Sequence, residues 1–249
     1  YQENFSWGNG GKKSTEAFEK GLHEFPEDIK EILKKKGIID IYQREIQFCS
    51  DYILNTFLSR RGFKFMGIHV LAPYLELVNY SSKSQPLLIT EKGIKHPVIE
   101  ISNKEITHHY SYTSSLERWV NSGYSSEEPI VFSLPFDFNI NGSNLTLVCK
   151  GKSLNQDQFR FSRIKNCIIV EGIPIAHNSL KEFPYNYLKY LFSILNLELY
   201  LENQIRDIIN YNIKNRIEVL DKIANLNNDY SQSLTRVLSM ELNILSGFS

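Results

Sequence analysis

Two His-x-Ser triplets, His109-Tyr110-Ser111 and His177-Asn178-Ser179, stand 68 positions apart in this chain of 249 residues. Histidines that converge can take one proton and give another, while a hydroxyl two positions on holds a phosphate oxygen. Glu100 and Lys104, in Pro97-Val98-Ile99-Glu100-Ile101-Ser102-Asn103-Lys104, offer a second chemistry. An acid there would hold a divalent cation and a lysine would orient the attacking water. A third possibility lies in Lys150-Gly151-Lys152 followed by Arg160, Arg163 and Lys165, interleaved with Phe159 and Phe161. Cations among aromatic rings on strands suit a phosphate backbone and its bases. Arg60, Arg61 and Lys64 would extend that patch if the fold brings them near. Strict alternation puts Arg160 on the face opposite Phe159, Phe161, Arg163 and Lys165 unless a bulge intervenes.

Each reading has a plainer competitor. Such triplets arise by chance in a chain rich in serine, so surface or half-buried histidines account for the pair. An edge-strand acid beside a loop lysine accounts for Glu100 and Lys104. A solvated face, with Arg60 and Arg61 at a helix C-terminus, accounts for the cations.

The triplets resemble the paired H-x-[ST] motifs of the 2H phosphoesterases, which would make His109, Ser111, His177 and Ser179 catalytic. Asn178 departs from the apolar residue that family prefers between histidine and hydroxyl. Glu100 and Lys104 resemble the metal-binding strand of restriction-type nucleases, where the lysine stands two positions after the acid rather than four. Phe132 to Ile164, with Gly142, Leu145, Val148, Gly151, Asn155 and Asp157, resembles a stretch of the target-selector subunits of a cut-and-paste transposon family. That resemblance stops before the C-terminal third.

No Walker loop, dinucleotide fingerprint, HExxH, nucleophile elbow or kinase motif occurs. Lys+Arg and Asp+Glu are both 28, so any nucleic-acid contact must come from a local patch and not a global field. Three widely spaced cysteines, Cys49, Cys149 and Cys167, form no CxxC pair, which suits free thiols in a reducing cytoplasm. The sequons at Asn4, Asn79, Asn141 and Asn144 are as many as an Asn- and Ser-rich chain yields by chance. No uncharged apolar run of about 18 residues exists, so no membrane span is expected. The opening Tyr1-Gln2-Glu3-Asn4 is no signal peptide, and a piece of a longer protein is expected.

The elements that must position these groups follow from the periodicity. Ser14 or Thr15 is expected to cap a short helix. A second helix runs from Pro26 to Gly37, with acid at its start and lysines at its end. Apolar spacing of three or four from Ile38 to Phe57 predicts a long helix ending near Arg61. Between Gly62 and Val170 the pattern turns to strands, with Asn141-Gly142 as a hairpin turn and a short helix near Ser114 to Asn121. From Leu188 to Leu220 the helical period continues for some ten turns. It breaks at Asn227-Asn228-Asp229 and resumes from Tyr230 to Leu245.

The expected fold is α+β, a mainly antiparallel sheet flanked by an N-terminal helical segment (1–62) and a C-terminal helical hairpin (183–249). The β-rich part covers 63–182. The expected function is that of a non-catalytic subunit of a nucleic-acid-handling assembly of the mobile-element or phage-defence type. It would need no cofactor or metal, and would meet a protein partner or a second copy through the C-terminal helices, with Leu195 and Leu199 on the seam. A metal-dependent nuclease or phosphodiesterase and a structural homo-oligomer are the alternatives.

Overall fold

Lys12 and Lys13 are good helix formers, and in the computed structural model the first helix, α1, spans Gly11–His23. Ser14 and Thr15 therefore lie inside its first turns and do not cap it, a correction to the sequence reading. The structure describes residues 11–39, 63–65, 68–70, 79–81, 84–95, 107–108, 113–123, 125–140, 143–151, 160–197 and 201–247. The chain divides into two compact units, Tyr1–Glu24 with Tyr42–Tyr112, and Phe25–Ile41 with Thr113–Ser249.

In the first unit α1 buries Phe18 and Leu22, four residues apart on one side. Strands β1 (Phe63–Phe65) and β2 (Ile68–Val70) pair antiparallel. Strand β3 (Asn79–Tyr80) is followed by β4 (Leu88–Thr90) and β5 (Gly93–Lys95), an antiparallel hairpin. Its turn is held by Thr90 Oγ1 donating to the Gly93 carbonyl at 3.0 Å. Strand β6 (Thr107–His108) runs parallel to β3.

The second unit begins with α2 (Glu27–Lys35), entered through the fixed φ of Pro26. Gly37, with φ 63, ends it. The Gly37 N–H donates to the Lys34 carbonyl and the Ile38 N–H to the Leu33 carbonyl, the paired bonds of a Schellman stop. A β-carbon on Gly37 would sit 2.5 Å from Pro135 Cγ, so two constraints require glycine here. Ile38 and Ile39 follow as buried, non-helical residues; the rest of the helix expected to Arg61 lies outside the described residues.

Ser114 and Glu117 form a capping box that starts α3 (Ser115–Ser122), and Gly123 at φ 74 ends it. Strands β7 (Ile130–Phe132), β8 (Phe136–Asn139), β9 (Thr146–Lys150), β10 (Arg160–Ile164), β11 (Cys167–Glu171) and β12 (Pro174–His177) follow. Strand β12 pairs with β7, and the others form a sheet in the order β10-β11-β9-β8. Strands β8 and β9 pair antiparallel and are closed by Ile140 N–H donating to the Leu145 carbonyl at 2.9 Å, while Asn141 and Gly142 of the expected turn lie outside the described residues.

Among the described residues five of the seven strand pairings are antiparallel; β9–β11 and β3–β6 are parallel. The parallel contact arises because Arg160–Ile164 and Cys167–Glu171 are the two arms of a hairpin turning at Lys165 and Asn166. Strand β11 therefore returns beside β9 in the same direction.

Three helices cover the sheet's inner face: α4 (Glu182–Ile194), α5 (Leu201–Ile223) and α6 (Asp229–Ser246). Leu147, Ile168 and Val170 of the sheet pack with Leu188, Leu191 and Phe192 of α4, with Ile208 and with Leu245. Each such side chain contributes about 1.5–3 kcal/mol by leaving water. The ten-turn helix of the sequence reading is thus two helices. Asn196 takes φ 54, its N–H donates to the Ser193 carbonyl, and Leu197 N–H donates to the Phe192 carbonyl. That is a second Schellman stop, with asparagine in the left-handed position and buried Leu197 packed near Phe192 in the core.

Inside this core lies a polar hub. Arg216 donates from Nε to Glu241 Oε2 at 2.9 Å, and both side chains are almost fully buried. Its other nitrogens donate to Asn212 Oδ1 at 2.7 Å and to the Phe132 carbonyl at 2.9 Å. Asn212 Oδ1 also accepts the Leu134 N–H and its amide donates to Ser133 Oγ, each at 2.8 Å. Glu241 Oε1 accepts the Leu116 N–H at 2.8 Å, placing a carboxylate at the N-terminus of α3. A neighbouring pair, Arg118 Nε to Glu128 Oε1 at 3.0 Å, is likewise buried, and Trp119 Nε1 donates to Ser233 Oγ. These groups fix α3, α5, α6 and the β7–β8 turn in one arrangement, since any slip would leave a buried charge unpaired.

Candidate nucleic-acid interface

Among the described residues the β10–β11 hairpin forms one margin of the four-stranded sheet, with β10 bonded to β11. The register sets Phe161 opposite Val170 and Arg163 opposite Ile168, so both continue the inner, apolar face past its covered part. Phe161 is 47% exposed and Arg163 is exposed. Lys165, at the hairpin tip, has φ 54, a conformation uncommon for a residue with a β-carbon, and is also exposed. The tip is tied down by Thr146 N–H donating to the Asn166 carbonyl at 2.8 Å. Phe161, Arg163 and Lys165 are therefore offered together by a fixed strand and its turn.

The other cations divide differently. Arg160 stands opposite Glu171 on one side of β11, and exposed Lys150 stands opposite Glu171 on the other. Lys150 thus has an acid opposite it across the strands, which weakens the local positive field. The alternation argument thus holds in the register: Arg160 belongs to a different row from Phe161 and Arg163. Lys152, Arg60 and Arg61 lie outside the described residues, as do Glu100, Lys104, His109 and Ser111.

His177 is buried at the end of β12. Its Nδ1 accepts the backbone N–H of Ser179 at 3.2 Å and of Leu180 at 2.9 Å, which places the ring proton on Nε2. Burial pushes its pKa below the usual histidine value, so it stays neutral. Ser179 Oγ donates to its neighbour Asn178 Oδ1 at 2.8 Å. This triplet shapes the turn into α4: the ring lone pair a general base would use is already engaged.

Beside that turn an open groove of about 370 Å³ is lined by Glu127, Asn178, Lys181, Met240, Asn243, Ile244 and Gly247. It offers one carboxylate and one ammonium on a largely neutral wall. Burial raises the Cys149 thiol to about 11, which keeps it protonated and unreactive. Among the described residues no group of three His, Cys, Asp or Glu side chains could hold a metal ion. None of the described helices is long and apolar enough to cross a membrane.

The seam expected on the C-terminal helices is largely internal. Leu195 belongs to the core, and Ile208, Val219, Leu234, Val237 and Leu238 are buried; Leu199 lies outside the described residues. Among the described residues of these helices the large exposed apolar side chains are Phe183, Tyr185, Tyr190 at 67% exposure and Ile194 on α4, and Ile217 on α5. Sequence reasoning passed over Phe183, Tyr190 and Ile194 because Leu188, Leu191 and Leu195 form a complete stripe by themselves. The signal was a second stripe at 183, 187, 190 and 194. Comparison of the chain with protein-family models, curated proteins and solved structures found no match.

Proposed function

We propose that this chain is a non-catalytic, cytoplasmic binding module, a subunit or domain of a nucleic-acid-handling assembly of the mobile-element or phage-defence kind. It meets the nucleic-acid backbone at the β10–β11 hairpin and a protein partner along the exposed side of α4. The observation that carries the reading is the grouping of Phe161, Arg163 and Lys165, all exposed, on one margin strand and its turn. The backbone N–H groups held by His177 Nδ1 give that ring a structural role in the turn, which favours this reading over the phosphodiesterase alternative.

Anisotropy of a labelled oligonucleotide, titrated with the chain from 50 to 200 mM salt, tests it. Each phosphate contact to a single strand should contribute about −0.7 to the slope of log affinity against log salt. Arg163→Glu with Lys165→Glu should flatten that slope by roughly 1.4, twice the single-contact value. Affinity independent of salt, or untouched by the double substitution, would discard the proposal.

A further inference from the structure

Resting on that reading, we infer that the nucleic acid is taken as a single strand, with an unpaired base stacked on Phe161. A two-stranded β-ribbon can enter the major groove of a duplex, whose width is about 12 Å. The hairpin here is not free to do so. Register pairs Cys167 with Thr146 and Glu171 with Lys150, so over the described residues the paired strands β10 and β11 run level with β9. The unit that would have to enter is a sheet of four strands. At about 4.8 Å between neighbours its backbones alone span roughly 14 Å, more than the groove admits. Its inner face is also covered by helices, with Ile168 and Val170 sealed against α4.

What remains open is the outer margin, and its chemistry is that of a stacking platform. Phe161 stands opposite Val170 in the register, while nearly half of the residue faces water. Arg163, two residues along the same face, and Lys165 at the tip supply cations for the phosphates on either side of a stacked base. A base inside a duplex has both faces occupied and cannot use the ring. A single strand can turn one base out.

The test uses the full chain, a 15-nucleotide single strand as DNA and as RNA, and a duplex of the same sequence, all at 50 mM salt. Either single strand should bind at least tenfold more tightly than the duplex. Phe161→Leu keeps an apolar residue opposite Val170 but removes the aromatic face. It should weaken single-strand binding by about 5- to 150-fold without altering the salt slope, and Phe161→Trp should preserve binding. Equal affinity for duplex and single strand, or full binding by Phe161→Leu, would overturn the stacking inference. The binding reading would then still stand if Arg163→Glu with Lys165→Glu abolished the salt-dependent contact. An absence of binding to every oligonucleotide would overturn both.

Discussion

Replacing Glu241 with alanine withdraws the carboxylate that faces Arg216 at 2.8 Å and leaves the Leu116 N–H without its acceptor. Arg216 is 1% exposed, so its charge has no route to water. Breaking a buried ion pair from one side costs about 3–5 kcal/mol. An orphaned buried N–H costs about 1–3 kcal/mol more. Arg216 keeps three other acceptors, Asn212 Oδ1 and the carbonyls of Asn212 and Phe132, which softens the first figure. The expected loss is about 4 kcal/mol, seen as a fall in the urea midpoint at unchanged slope, or about 8–16 °C in melting temperature. Glu241→Gln with Arg216→Met removes both charges yet keeps an acceptor for Leu116, and should be more stable than Glu241→Ala alone. A loss below 1 kcal/mol in Glu241→Ala, or a double variant no better than the single one, would refute the view that this hub holds α3, α5 and α6 together.

Gly37→Ala places a β-carbon in the left-handed region, at about 1–2 kcal/mol, and against Pro135 Cγ, where overpacking adds about 1–3 kcal/mol. Pro135→Ala should recover the second part only, and thermal unfolding of the single and paired variants separates the two. His177 has a folded pKa below its unfolded value near 6.5, so below pH 6.5 the unfolded chain binds more protons than the folded one. Its contribution is complete above that pH and is lost as pH falls toward the folded value. His177→Gln should therefore shrink the drop in urea midpoint between pH 7.5 and 5.5, and an undiminished drop would contradict the assigned tautomer.

The boundaries at Gly37, near Ser114 and at Asn227-Asn228-Asp229 were legible because each carries a residue that ends or starts a helix locally, whereas the cap expected at Ser14 or Thr15 falls inside α1. The stop at Asn196 escaped notice because buried Leu195 and Leu197 flank it and the apolar spacing resumes at Leu201. The β10–β11 hairpin escaped for a different reason: its turn at Lys165 and Asn166 lacks the glycine or proline that punctuates a sequence. Parallel pairing of β9 and β11 is a long-range outcome that no local pattern encodes. At the candidate interface, alternation did separate Arg160 from Arg163. Which cations keep an opposing Glu171 beside them depended on register. Arg216 and Glu241 could have been found as charges on the apolar side of their helices, where Asn212, Val219, Leu238 and Leu245 mark the buried positions.

Segment 25–41 belongs to the same unit as 113–249 although residues 42–112 lie between them in the chain. Helix α2 packs on α5, with Ile29 and Leu33 at most 1% exposed. On the ribosome that apolar side emerges long before its seat exists. At about 5–20 residues per second the wait until Ile223 is polymerised is roughly 10–40 s. Throughout that interval the nascent chain carries an unmatched greasy helix, which gives chaperones a defined early client and links the yield of folded protein to the pace of translation.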